Sequence, residues 1–290
     1  MKRIIYFILM SFICCTLSIG TIFSQNSNKI ILLRPVSNNV NHEVLTHSAT
    51  IISARLKVYG IEKPDVTALS DKNQIKVQIP DNYTLSEIEG LLTLKGDLAF
   101  YETFNKKEVS ELLKGDNQLF RMLNSDPGIT PLDAKIGCIK AENRSQIDAY
   151  LKGIKNPDNC KFFWHYIGLS SDESMRCLFA IKTNSEGKPL LGRSDIETAK
   201  AEPAKDGKSF NIAITFKKSA IGLWADATRK NMNRSIAITL DSYVYSYPTV
   251  KSVIEKGVSE INGDMTLKDV NYLLALVNNE PLQIKLELVK

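Results

Sequence analysis

The chain has 290 residues, 43% of them hydrophobic and 24% charged, so it can build one large folded unit or two modest ones without a disulfide framework. Its formal net charge of +5 is carried by Lys and Arg interleaved with Asp and Glu. That pattern describes a solvated mixed surface and excludes the strongly basic face of a nucleic-acid binder.

The first element is a targeting segment. Lys2 and Arg3 precede an uncharged run, Ile4–Phe23, whose most apolar part is followed by the small residues Ser18, Gly20, Thr21 and Ser24. Residues 1–24 therefore read as a signal peptide cleaved after Ser24, or as a retained N-terminal anchor, since a bilayer span needs about 20 residues. Both readings place the rest of the chain in the periplasm or cell envelope. Of the cysteines beyond this segment, Cys138, Cys160 and Cys177 show no C-x-x-C spacing. They read as small buried hydrophobes, with an oxidising compartment leaving room for one disulfide among the three.

Residues 43–59 carry an apolar stripe at helical spacing and end at Gly60, with Pro64 beyond. Ile75, Val77 and Ile79 alternate with polar residues, which predicts a half-buried strand over 74–79. Thr84-x-x-Glu87 is a capping-box pattern that opens a short helix. A strand over 98–101 follows, and the three elements read as a β-α-β unit on one sheet. Residues 105–133 suggest two short helices ended by Asp126-Pro127-Gly128. A strand over 134–139, a helix capped at Asn143 and paired strands over 162–167 and 176–182 come next.

Phe210–Phe216 alternates as a strand, and a helix over 219–231 places Ile221, Trp224, Ala225 and Thr228 on one face. A strand over 236–240 turns at Asp241-Ser242 into Tyr243–Tyr247. Tyr243, Tyr245 and Tyr247 are expected on one face, and Pro248 marks a sheet margin. Thr266-x-x-Asp269 opens the last helix, and Leu282–Val289 alternates as a final strand with one buried face. The mixture of helices and hairpins argues α+β.

Asn231–Val289, with N-M-N-R-S-I-A-I-T-L-D-S-Y-V-Y-S-Y-P-T-V at its start and E-P-L-Q-I-K-L-E-L-V at its end, resembles the end of the first large periplasmic domain of SecD. SecD is an auxiliary subunit of the bacterial Sec protein-export machine. Ala49–Leu56 with Gly60–Val66, Gln74–Pro80, Leu98–Phe104, Pro189–Ala199 and Trp224–Asn231 resemble further pieces of that domain, in order. Residues 105–188 are similar to an insertion in fused SecD–SecF forms. The resemblance implies a ferredoxin-like base, residues 29–104 plus 279–290, and an α+β head, residues 189–278. It further implies unfolded exported polypeptides or Sec translocon components as partners. The chain stops where the family's later membrane spans would begin, so the expectation is a domain without the proton-driven motor. Ser242 stands where the family has a turn Gly, and Asn233 where it has a Gly after the helix.

No G-x-S-x-G, P-loop or H-E-x-x-H pattern is present, and His42, His47 and His165 do not form a metal-ligand spacing. Asp241, Asp264 and Asp269 each read as turn, loop or cap residues. No catalytic, cofactor or metal role is expected. Tyr243, Tyr245 and Tyr247 are the candidate peptide-binding residues, with backbone pairing at their strand edge as the mode; the competing and favoured reading is structural, with two of the tyrosines packed on the sheet, one covering an edge, and residues 249–262 covering the strand edge. The rival reading is an envelope binding module that uses the same fold for an unrelated partner.

Overall fold

Local signals set most element boundaries in the computed structural model, which describes residues 27–37, 40–114, 118–123, 128–154, 157–166 and 174–289, with the backbone alone of 262–264. The targeting segment 1–24 and the Asp126-Pro127 part of the expected turn lie outside the described residues. The elements in order are β1 (Asn28–Pro35), α1 (His42–Tyr59), β2 (Asp65–Leu69), β3 (Gln74–Pro80), α2 (Leu85–Thr93), β4 (Leu98–Phe104), α3 (Lys106–Leu112) and α4 (Gln118–Met122). Then come β5 (Lys135–Lys140), α5 (Arg144–Gly153), β6 (Cys160–His165), β7 (Met175–Lys182), β8 (Leu191–Gly192), β9 (Ile196–Pro203) and β10 (Phe210–Phe216). The chain ends with α6 (Lys218–Lys230), β11 (Ile236–Leu240), β12 (Tyr243–Ser246), β13 (Val258–Met265), α7 (Leu267–Val277) and β14 (Leu286–Leu288).

Both predicted capping boxes form: Thr84 and Glu87 satisfy each other's backbone N–H at the start of α2, and Thr266 and Asp269 do so at α7. Gly60 ends α1 at φ 117°, a conformation that a Cβ disfavours. Asn143 stands at the start of α5 but makes no cap bond, because a short 3₁₀ turn precedes it.

Three sheets result. The first has the order β14-β1-β3-β2, all antiparallel, with Ile31, Leu33, Ile75, Val77 and Ile79 turned into the core. The second has the order β13-β10-β9. The third runs β5-β7-β6-β12-β11-β4-β8 and also pairs β7 with β4. That pairing, Glu102↔Lys182 to Phe104↔Ala180, closes β4, β11, β12, β6 and β7 into a small barrel. Ala99, Tyr101, Phe163, Phe179, Ile181, Ala237 and Val244 pack together inside it. Closure removes the edges that these short strands would otherwise leave bare.

Two expectations change. Leu98–Tyr101 does not complete a β-α-β unit with Gln74–Ile79. It begins β4, which pairs with β11 and β8 in the third sheet. The reason is burial: Leu98–Tyr101 is apolar on both sides and finds cover on both only in the barrel wall. The final strand is also shorter, because Leu282 N–H donates to Lys95 O at 2.8 Å and the chain then bends at Gln283 and Ile284. The regular strand is confined to Leu286–Leu288 opposite Leu33–Pro35, with backbone bonds at Lys285 and Val289 on either side of it.

Residues 105–188 share a sheet with the strand before them and the hairpin after them. Cys138 and Cys177, directly opposite each other on β5 and β7, form a disulfide. Cys160 is buried and reduced, its thiol pushed up to about 12 by burial.

Candidate functional site

The β11–β12 hairpin carries all three candidate tyrosines, and its geometry departs from the expected one. Ile238 pairs with Ser246 but Thr239 pairs with Val244, which leaves Tyr245 as the extra residue of a β-bulge. A bulge reverses the alternation beyond it. Tyr243 and Tyr245 therefore face Tyr166 on one side, while Tyr247 packs on the opposite side against Phe179, with ring centroids 4.7 Å apart, and His165. The three do not form a single strip.

The open edge expected at Tyr243–Tyr247 is filled as well. β12 has β11 on one side and β6 on the other, in parallel register Tyr243↔Trp164 and Val244↔His165. The Tyr166 N–H extends that seam by donating to Val244 O at 2.7 Å. The strand comes from the 105–188 segment and leaves no unpaired ladder for a peptide to join. Tyr243, Tyr245 and Tyr247 themselves remain half-buried rather than enclosed.

What the hairpin does present is an aromatic cleft. Tyr166 stacks on Tyr245 with centroids 4.7 Å apart, and its hydroxyl donates to the Tyr272 hydroxyl at 3.1 Å. Tyr272, from α7, meets Tyr59 of α1 edge-on. Burial raises the phenols of Tyr166, Tyr245 and Tyr272 above their ordinary range. Arg144 lies over both Trp164 and Tyr243, 5.5 and 5.6 Å from their ring centroids, and pairs with Asp148. Between these side chains and α2 is a cavity of about 310 Å³, with Tyr243, Tyr166 and Tyr272 on one wall and Glu89 and Thr93 on the other.

Two residues, Asp241 in the hairpin turn and Arg55 of α1, have a weight that the sequence conceals. Asp241, read only as a turn residue, takes the left-handed conformation at φ 55°, in place of Ser242. Its carboxylate accepts from the backbone N–H groups of Lys95, Gly96 and Asp97 at 2.9–3.0 Å. On the other side of that loop Arg55, wholly buried, donates to the carbonyls of Leu94 and Lys95 at 2.6 Å, with longer bonds to Leu91 and Glu280. Burial lowers its pKa to about 10, against the pull of Asp241. Gly96, at φ +84°, passes so close that a Cβ would lie 2.5 Å from Arg55 Nη2. The signal for Arg55 was a lone cation in the apolar stripe of a helix, and its cue was its place in the Ala49–Leu56 motif.

Asn233 takes the left-handed conformation at φ 61°, as expected of Asn in a glycine's place. Trp224 is buried between Phe100 and Phe216 and donates to Ser259 Oγ at 2.8 Å. Among the described residues no group of three His, Cys, Asp or Glu side chains could hold a metal ion, and no helix is long and apolar enough to cross a membrane.

An α+β chain with this hairpin, helix and aromatic core has known counterparts. Residues 179–284 match the family model described as SecDF, P1 head subdomain. Across 91% of its length the chain is 22% identical to the protein translocase subunit SecD of Rickettsia conorii, of which it covers 42%. It is 23% identical over 91% of its length to the protein translocase subunit SecDF of Brucella abortus, covering 28% of that protein. Over 52% of the chain the identity to SecD of Acidaminococcus fermentans is 26%. The crystal structure of SecDF in its super-membrane-facing form aligns with 90% of this chain at a TM-score of 0.52 and 16% identity, which supports the shared fold. The chain is thus similar to SecD and SecDF over most of its length, and it spans less than half the length of these relatives.

Proposed function

We propose that this chain acts in protein export from the periplasmic side, holding extended segments of exported polypeptide or docking on the Sec complex. The observation that carries the reading is a stretch similar to the SecDF P1 head subdomain whose hairpin residue Tyr243 lines an aromatic cleft with Tyr166 and Tyr272. Contact there rests on phenol rings and the Arg144 guanidinium, which stack on many kinds of side chain and give sequence-tolerant grip. Tyr243 is the central contact, Tyr245 supports it through Tyr166, and Tyr247 serves the barrel interior. No acid–base pair or metal is required for this role, so the protein is read as non-catalytic.

The architecture belongs to the same proposal. The order β14-β1-β3-β2 with α1 and α2 supports a ferredoxin-like base, residues 29–104 with 279–290. The insertion is 105–188 and the head 189–278, with β4 lent by the base to the barrel. Residues 1–24 direct the chain to the envelope, as a removed signal or a retained tether.

The test is binding of a permanently unfolded, reduced and alkylated protein, followed by fluorescence anisotropy, alongside recovery of Sec components by pull-down. Tyr243→Ser is expected to weaken binding about tenfold, the scale of one lost aromatic contact with its cation. No binding to unfolded chains and no recovery of Sec components would overturn the reading.

A further inference from the structure

The barrel closes the edges of its strands, but the first sheet keeps two, at β14 and at β2. Among the described residues β14 pairs only with β1. Val36 N–H donates to Lys285 O and Val289 N–H to Leu32 O, so 285, 287 and 289 address β1. By the two-residue period of an antiparallel ladder, Leu286 and Leu288 turn their N–H and C=O groups outward. Beside the β14 edge runs a groove of about 740 Å³ whose lining includes Leu94, Leu282, Ile284, Leu288 and Tyr243.

We propose that this edge is completed by a second copy of the chain, its β14 antiparallel to the first across a twofold axis at Leu286. Charge selects the copy and the register. Only residues of equal parity can lie opposite each other, so the axis falls on one residue of the strand. An axis at Glu287 would set Glu287 against the partner subunit's Glu287, and an axis at Lys285 would set lysine against lysine. Both oppose like charges directly. An axis at Leu286 instead places Lys285 opposite the partner subunit's Glu287, twice per dimer by symmetry. It also makes Leu286 a hydrogen-bonded pair with its own copy, which satisfies the outward groups. The partner subunit's Ile284 and Leu288 then project to the same side as Leu94 and fill the groove. Glu287 is already aligned by Arg34 at 2.7 Å, so it is held on the exposed face where the incoming lysine arrives. Pairing extends the sheet from four strands to eight.

Sedimentation velocity of the purified protein over a concentration series tests this. A monomer–dimer equilibrium is expected. Lys285→Glu alone and Glu287→Lys alone should each weaken dimerisation about tenfold, since each turns two favourable cross-strand pairs into repulsive ones. Mixing the two single variants should restore it, because glutamates at 285 and 287 in one copy then face lysines at both positions in the other. That rescue also shows that the variants are folded. A protein that is monomeric at every concentration overturns the proposal. So does a dimer indifferent to both substitutions, or one recovered neither by mixing nor by the double variant. A mixed complex with an unfolded polypeptide, protected at Leu286 and Leu288 while the protein stays monomeric, assigns the edge to another occupant.

Discussion

Arg55 shows how much one residue can organise without touching solvent. Its helix offers it an apolar flank, where an unpaired guanidinium would be prohibitive. Its bonds to the carbonyls of Leu91, Leu94, Lys95 and Glu280 answer that cost by joining α1 to the α2–β4 loop and to the approach to β14. Asp241 holds the same loop from the opposite side through three N–H groups. The loop is thus gripped between a buried cation and a carboxylate, with Gly96 at the narrowest point. Arg55→Met keeps most of the volume but leaves those carbonyls without partners, and is expected to cost about 3–5 kcal/mol. Chemical denaturation with the Asp241→Asn variant beside it measures this. A loss under about 1 kcal/mol for Arg55→Met would mean that water replaces the guanidinium at little cost. The sequence could not reveal this clamp, because its parts lie far apart along the chain and each has an ordinary local reading. Arg55 reads as one charge on a helix, and Asp241 as a turn former.

At the scale of elements, legibility followed locality. Both capping boxes, the Gly60 stop and the alternation of β10 depend on residues within four of one another, and all appear where the pattern puts them. β1, β9 and β13 escaped notice because their pattern is mixed: β1 exposes Ile30 and buries Pro35, and β9 buries only Ile196 and Ala199. The tyrosine face was misjudged through a single inserted residue, since period-two counting cannot see the bulge at Tyr245. The α2 cap has a consequence for pH. Glu87 accepts from Lys268 of α7 and from the Thr84 N–H, in that order of effect, and these hold its carboxyl at about 2. A carboxylate depressed below its unfolded value of about 4.3 stabilises the fold above that pH, and the contribution disappears as pH falls through 2. Glu87→Gln should therefore lower the melting temperature at pH 7, and the gap to the parent should close between pH 4 and pH 2. A gap that is the same at pH 7 and pH 2 would show that the charge contributes nothing.

The whole molecule is held by a core that its sheets share. α7 packs on α1 on one side and on β9 and β10 on the other, so one apolar cluster runs from Leu33 and Ile75 of the first sheet to Phe216 and Trp224 beside the second. The barrel adds its own interior and is joined to that cluster by β4 and β11, whose two faces serve both: Phe100 and Ile238 turn to the shared core, Ala99 and Ala237 to the barrel. A division into base, insertion and head, as the family resemblance implies, does not by itself imply separate unfolding, because one apolar cluster holds residues of both base and head, and β4 pairs with β7 of the insertion and β11 of the head. The two tryptophans make this measurable. Trp164 packs in the apolar cluster around Ile147 and Leu178, and Trp224 in the shared core. Trp224→Ala removes an indole enclosed by Phe100 and Phe216 and leaves Ser259 without its donor, and should cost about 3–5 kcal/mol. If the core is cooperative, the fluorescence of the remaining Trp164 and the far-ultraviolet circular dichroism of Trp224→Ala fall together, at a midpoint lowered for both. If Trp164 keeps the parent's midpoint while part of the circular dichroism is lost early, the barrel and the shared core unfold separately, and the strands that link them do not couple their stabilities.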